Sequence, residues 1–129
     1  MLLVFRHSKH GGKKNAVLAA AGLCSHVLAG SENVRLKPIF GINSGMVISG
    51  IIGTRKVRMD YTIIGDPVNV AARLSTLASS AQAPILVSGS VKDSLPKRFK
   101  VMPAHIGKVR GKKQEVEVFS LRVKGMRQV

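Results

Sequence analysis

The sequence contains no tryptophan, one cysteine, one tyrosine and six acidic residues. With aromatics at 4% of the chain, a groove of stacked aromatic platforms for single-stranded nucleic acid is not expected. Cys24 has no second thiol in the chain, which excludes an intrachain disulfide and a multi-thiolate metal site. The same scarcity points to a reducing compartment, and a cytoplasmic location is expected. Glu32, Asp60, Asp66, Asp93, Glu115 and Glu117 are the whole supply of carboxylates for any mechanism that needs them clustered. The four histidines, at 7, 10, 26 and 105, show no zinc-ligand spacing. No apolar run is long enough for a transmembrane helix. The apolar start, Met1–Phe5, is too short for a signal peptide core, and its basic residues follow rather than precede it.

What is present is basic. Twenty-one Lys and Arg give a net charge of +15, with a pI near 11.1. That field favours polyanionic partners: nucleotide phosphates, nucleic acid or an anionic membrane surface. Between Lys92 and Arg127 there are eleven basic residues and three acids. A solvated face and a phosphate-contacting surface both fit this run. No zinc knuckle, RNP-like segment or other nucleic-acid motif accompanies it, so nucleic acid is a possible partner without a motif to support it. The link Arg110-Gly111-Lys112-Lys113 suits a phosphate hook, because a glycine turn lets long basic side chains converge.

At 129 residues and 45% hydrophobic content, the chain fits one domain with a real core. Residues 2–5 (LLVF) read as a strand whose usual lead-in is absent, and Ser8–Lys14 as a basic loop pivoting on Gly11-Gly12. Residues 15–29 predict a helix, with Val17, Ala21, Cys24 and Leu28 on one face and Gly30 closing it. Residues 35–42 and 46–52 predict two strands joined by an Asn43-Ser44-Gly45 hairpin. A charged loop, Thr54–Met59, precedes a strong helix start, with Asp66 as N-cap and Pro67 at the first helical position. That helix is expected over Pro67–Leu77 or slightly beyond, with Val70, Leu74, Leu77 and Ala78 as its apolar stripe. The strand PILV (84–87), a short helix over Ser90–Leu95, the segment Phe99–Met102 and strands at His105–Val109 and Glu115–Leu121 complete the order. Hairpins mixed with helices imply an α+β fold: helices packed on one mostly antiparallel sheet.

Asp66, Asn69 and Arg73 form the densest polar constellation. A helix start favours anions, Asn69 both donates and accepts, and Arg73 can hold a phosphoryl group in a bidentate fork. An ordinary amphipathic helix with a solvated arginine fits the same residues. No GxGxxG or GxxxxGK[ST] loop is present.

Residues 41–73, GINSGMVISGIIGTRKVRMDYTIIGDPVNVAAR, resemble the second half of the catalytic domain of class III adenylate/guanylate cyclases, the bacterial adenylate type especially. PILVSGS and GKVRGKKQEVEVFSL resemble the close of that domain. The resemblance covers residues 1–122 and leaves 123–129 as a basic tail. It implies a ferredoxin-like cyclase fold, truncated, and conversion of ATP to cyclic AMP and pyrophosphate. It implies that Asn69 orients the ribose and that Arg73 stabilises charge on the α-phosphate. It places Thr62 at an adenine-reading position and Lys112 at the terminal phosphates, with Arg110 as competitor. Asp66 then caps its helix and ligates no metal.

Family members bind two Mg or Mn ions through two aspartates, at sites shared between two protomers. By this resemblance the chain starts just after the second aspartate, so no metal ligand is expected in it. It is therefore expected to be inactive alone, or to act as a partner subunit giving Asn69, Arg73 and Lys112 to another cyclase protomer. A basic module of cyclase ancestry that binds nucleic acid or another polyanion is the third reading. An unprotected sheet edge and an uncovered apolar face are expected to promote self-association.

Overall fold

The computed structural model describes residues 1–6, 11–30, 37–54, 58–104 and 116–122. The elements run α1 (Gly12–Gly30), β1 (Phe40–Ile42), β2 (Ile48–Thr54), β3 (Arg58–Ile64), α2 (Asp66–Ser80), β4 (Ile85–Ser88), α3 (Gly89–Lys92), β5 (Val101–Pro103) and β6 (Val118–Leu121).

Strand β4 organises the domain. Its four residues are all buried, as expected of a continuous apolar run covered on both faces. Alternation then splits its side chains between two cores. Ile85 and Val87 pack with Val17, Ala20 and Cys24 of α1 and with Val91 of α3. Leu86 packs with Val70, Leu74 and Ala78 of α2 and with Val118. The two long helices therefore lie on opposite faces of the four-stranded sheet, whose order is β1-β4-β6-β5. Two of its three pairings are antiparallel; β1 and β4 run parallel. The expected α+β class with a largely antiparallel sheet is what the chain forms.

Helix α2 follows its predicted stripe: Val70, Leu74 and Ala78 are buried, and Leu77 packs against them. Burying a leucine such as Leu74 stabilises by about 1.5–3 kcal/mol. The helix ends where the Ala81 N–H donates back to the Leu77 carbonyl and Gln82 takes φ +52°.

Several local expectations are corrected. Residues 2–5 join no strand and are 40–52% exposed; an apolar run becomes a strand only beside a hydrogen-bonding neighbour. The link Asn43-Ser44-Gly45 is no hairpin. β1 instead pairs with β4, in the register Phe40↔Ile85, while β2 pairs antiparallel with β3 from Ile48↔Ile64 to Thr54↔Arg58. The real hairpin thus takes both ends of the expected Thr54–Met59 loop into its strands. β1 itself is confined to Phe40–Ile42, shorter than the expected 35–42. Gly11 does pivot, at φ +78°, but the helix begins at Gly12, so Lys13 and Lys14 are helical rather than loop. The expected strand at His105–Val109 and the tail 123–129 lie outside the described residues.

Candidate functional site

The start of α2 is set by its glycine. Gly65 has φ +154°, a conformation that disfavours any side chain, and a Cβ there would sit 3.3 Å from the Met46 carbonyl oxygen. Gly65, not Asp66, is the N-cap residue; its carbonyl accepts from the Val68 N–H at 3.0 Å. Asp66 is the first helical residue rather than the expected N-cap. Its charge still complements the positive end of the helix dipole. Pro67 follows, where a missing N–H costs nothing.

The link after β1 braces this first turn. The Asn43 side-chain amide donates to the Pro67 carbonyl at 3.1 Å. Gly45 lies so close that a Cβ would run into the Pro67 ring. A Cβ on Gly41 would strike the Ala71 carbonyl and the Ser75 amide of α2. Helix α2 is therefore approached closely by Gly41 and Gly45, and its N-cap Gly65 lies against Met46 and Val47. Reading 43–45 as a hairpin missed this brace. The signal was the glycine pair at 41 and 45 around a side chain able to donate.

On the outer face of the braced helix, Asn69 and Arg73 are both exposed, while their neighbours Val70 and Leu74 are buried. Residues one turn apart in this way have Cβ atoms about 5–6 Å from each other. Thr62 is half-buried on β3, the strand that leads into the helix. Its cross-strand partner is Gly50, where a Cβ would meet nothing within 4 Å, so the flank of Thr62 is open. Asn69 and Arg73 thus share one helix face, with Thr62 on the adjoining strand. Arg110 and Lys112 lie outside the described residues.

A cleft of about 650 Å³ flanks the first turn of α2, lined by Asn43, Pro67, Ser88 and Glu117 among others. Asn69 and Arg73 do not line it; both are exposed.

The family resemblance implies bound divalent ions, so the carboxylates matter. Among the described residues, no three His, Cys, Asp or Glu side chains come together as a metal site. Asp60 lies on β3, Asp66 on α2, Asp93 after α3 and Glu117 before β6. The described residues do not fit a two-ion centre. Among the described residues, no helix is long and apolar enough to cross a membrane.

Residues 15–123 match the family described as adenylate and guanylate cyclase catalytic domain. Among curated proteins, the chain is 38% identical over 81 residues to an uncharacterised protein of Mycobacterium tuberculosis, covering 60% of this chain and 15% of that one. It is 30% identical over 82 residues to Adenylate cyclase 1 of Rhizobium meliloti, covering 64% of this chain and 12% of that protein. The chain thus spans about one seventh of the length of the first curated relatives it matches. Among solved structures, it superposes on the adenylyl cyclase CyaB from P. aeruginosa with a TM-score of 0.67 and 29% identity, covering 89% of this chain and 62% of that one. A bacterial light-regulated adenylyl cyclase shares the fold at a TM-score of 0.71 and 24% identity, covering 86% of this chain and 34% of that one.

Proposed function

We infer the function of this chain from its family: it belongs to the adenylate and guanylate cyclase catalytic domains. Within that family we propose that it supplies one half of a shared adenylate cyclase site, the half that orients the nucleotide and stabilises the transition state. The observation that carries this reading is the placement of Asn69 and Arg73. Both are exposed on one face of a helix whose opposite face is fixed in the core, so the core sets where their backbone sits.

In the reaction, the 3′-oxygen of ATP attacks the α-phosphorus. A new P–O bond forms, the bond from the α-phosphorus to the bridging oxygen breaks, pyrophosphate leaves, and the 3′-hydroxyl proton is lost. Asn69 holds the ribose so that the 3′-oxygen approaches in line. Arg73 donates from its guanidinium fork to the oxygens that gain charge at the α-phosphorus. Thr62 offers one hydroxyl to the adenine edge, beside the space left by Gly50. Lys112, with Arg110 as the alternative, takes the terminal phosphates. The name of the Rhizobium meliloti relative and the residue at position 62 both favour ATP over GTP.

Removal of the 3′-hydroxyl proton and neutralisation of the triphosphate are not provided by the described residues. On this reading a second cyclase protomer completes the site with its own carboxylates. The test is complementation. The chain is mixed with an intact adenylate cyclase domain whose own asparagine and arginine at the matching positions have been replaced by alanine. Neither component alone makes cyclic AMP from ATP, and the mixture does. A mixture as silent as its parts overturns the proposal.

A further inference from the structure

We propose that the β5–β6 end of the sheet is a docking surface for an anionic lipid bilayer, where Met102 enters the headgroup layer beside a group of cations. The surface is built by strand pairing. Val101 lies opposite Leu121, and Met102 opposite Ser120. Val101 and Leu121 pack into the core under α1, so alternation puts Lys100, Met102, Ser120 and Arg122 on the other face. Helix α2 covers that face chiefly over β1 and β4. Met102, out on β5, stays 45% exposed.

Four cations flank it. The Arg122 N–H donates to the Lys100 carbonyl at 3.1 Å, which carries the pairing one step further and sets Lys100 across from Arg122. Like charges in that relation destabilise a sheet, and an anion bound over them offsets the cost. Lys97 and Arg98 are the central residues of a turn closed by the Phe99 N–H on the Pro96 carbonyl at 3.0 Å. Leu95 and Phe99 pack against the α1 core on either side of it, so the turn is anchored while both cations are exposed. Asp93 is taken by Lys92 at 3.4 Å; among the described residues, Lys97, Arg98 and Lys100 have no ion-pair partner.

Charge and apolarity together choose the occupant. A net charge of +15 repels a second copy of the chain and attracts anions. Nucleic acid would engage the cations and leave Met102 without a role. A bilayer uses both: anionic headgroups take the cations, and the acyl boundary takes the methionine.

The test sediments the full chain with phosphatidylcholine vesicles containing about one third phosphatidylserine. The chain binds them, and salt at about 0.5 M releases most of it. Phosphatidylcholine alone holds little. Joint replacement Lys97→Gln, Arg98→Gln and Lys100→Gln weakens binding about a hundredfold, at about fivefold per cation. Arg6→Gln, Lys14→Gln and Lys37→Gln together remove the same charge elsewhere and cost about tenfold or less. Met102→Ser binds vesicles about threefold or more weakly, and its affinity for duplex RNA is unchanged. The three variants keep the parent's circular dichroism. Three results overturn the proposal: equal loss in the two triple variants, full vesicle binding by Met102→Ser, or duplex RNA held as tightly as the vesicles at the same salt. The last would mean that nucleic acid is the partner.

Discussion

The Asn43 side-chain amide reaches 3.1 Å to the Pro67 carbonyl, joining the end of β1 to the first turn of the helix that carries Asn69 and Arg73. This bond crosses between segments 24 residues apart and sets where the helix begins relative to the sheet.

Removing it is expected to loosen the helix start without unfolding the domain. Asn43→Ala should cost about 1 kcal/mol, the net worth of one such bond. Chemical denaturation of the two proteins checks the figure, with an unchanged m-value showing that the fold persists. In the complementation assay the same variant should lower kcat more than it raises KM, because the groups it positions act in the transition state.

Gly41→Ala should be far more damaging. Its Cβ meets the Ala71 carbonyl and the Ser75 amide, both helix backbone that no rotamer change can move. Overpacking of this sort costs about 1–3 kcal/mol and sometimes more. A melting temperature lowered by several degrees, or loss of a cooperative transition, is the expected result. By contrast Gly50→Ala, with open space around its Cβ, should melt like the parent.

Cys24 is fully buried in the α1 core, and desolvation raises its thiol pKa above the ordinary value. The neutral thiol is favoured in the folded chain, so the unfolded chain loses its proton first as pH rises. The contribution to stability is fully present below the unfolded pKa, near 8.5, and is lost as pH climbs through the folded value. Denaturation midpoints should therefore fall above about pH 8.5 in the parent and fall less in Cys24→Ala. A thiol reagent at neutral pH should label Cys24 only as fast as the domain opens.

The β2–β3 hairpin shows apolar side chains on both faces: Ile48 and Ile52 on one, Ile51 and Tyr61 on the other, all more than half exposed. Such a patch is rarely left in water. Sedimentation should reveal concentration-dependent association in spite of the +15 charge. Ile51→Thr paired with Ile52→Thr should reduce it while leaving the helical signal intact. A monomer at every concentration would contradict this.

Where the sequence pattern and the physics coincide, the chain is legible. Helix α2 could be read because Val70, Leu74, Leu77 and Ala78 repeat at the helical period and Pro67 marks the start. β4 could be read because ILV is apolar without a break. What was not legible depends on partners distant in the chain. Phe40–Ile42 reads as half of a hairpin, but its neighbour is β4, more than forty residues on. Leu2–Phe5 has strand composition but no hydrogen-bonding edge beside it. Asp66 has the chemistry of a cap, yet the positive φ of Gly65 moves the helix boundary by one residue. At the site, the spacing of Asn69 and Arg73 predicted a shared face. For the Asn43 brace only the glycines at 41 and 45 gave a signal, because its acceptor is a backbone carbonyl on another element.

The most direct test of the half-site account is the behaviour of Arg73 in the complemented assay. Arg73→Ala and Arg73→Lys are each mixed with the partner domain that lacks its own arginine and asparagine. The account predicts that Arg73→Ala lowers kcat by about a hundredfold or more with little change in KM, as removal of one transition-state donor does. It predicts partial recovery in Arg73→Lys, which keeps the charge and loses the fork. Equal turnover by parent and Arg73→Ala would contradict the account.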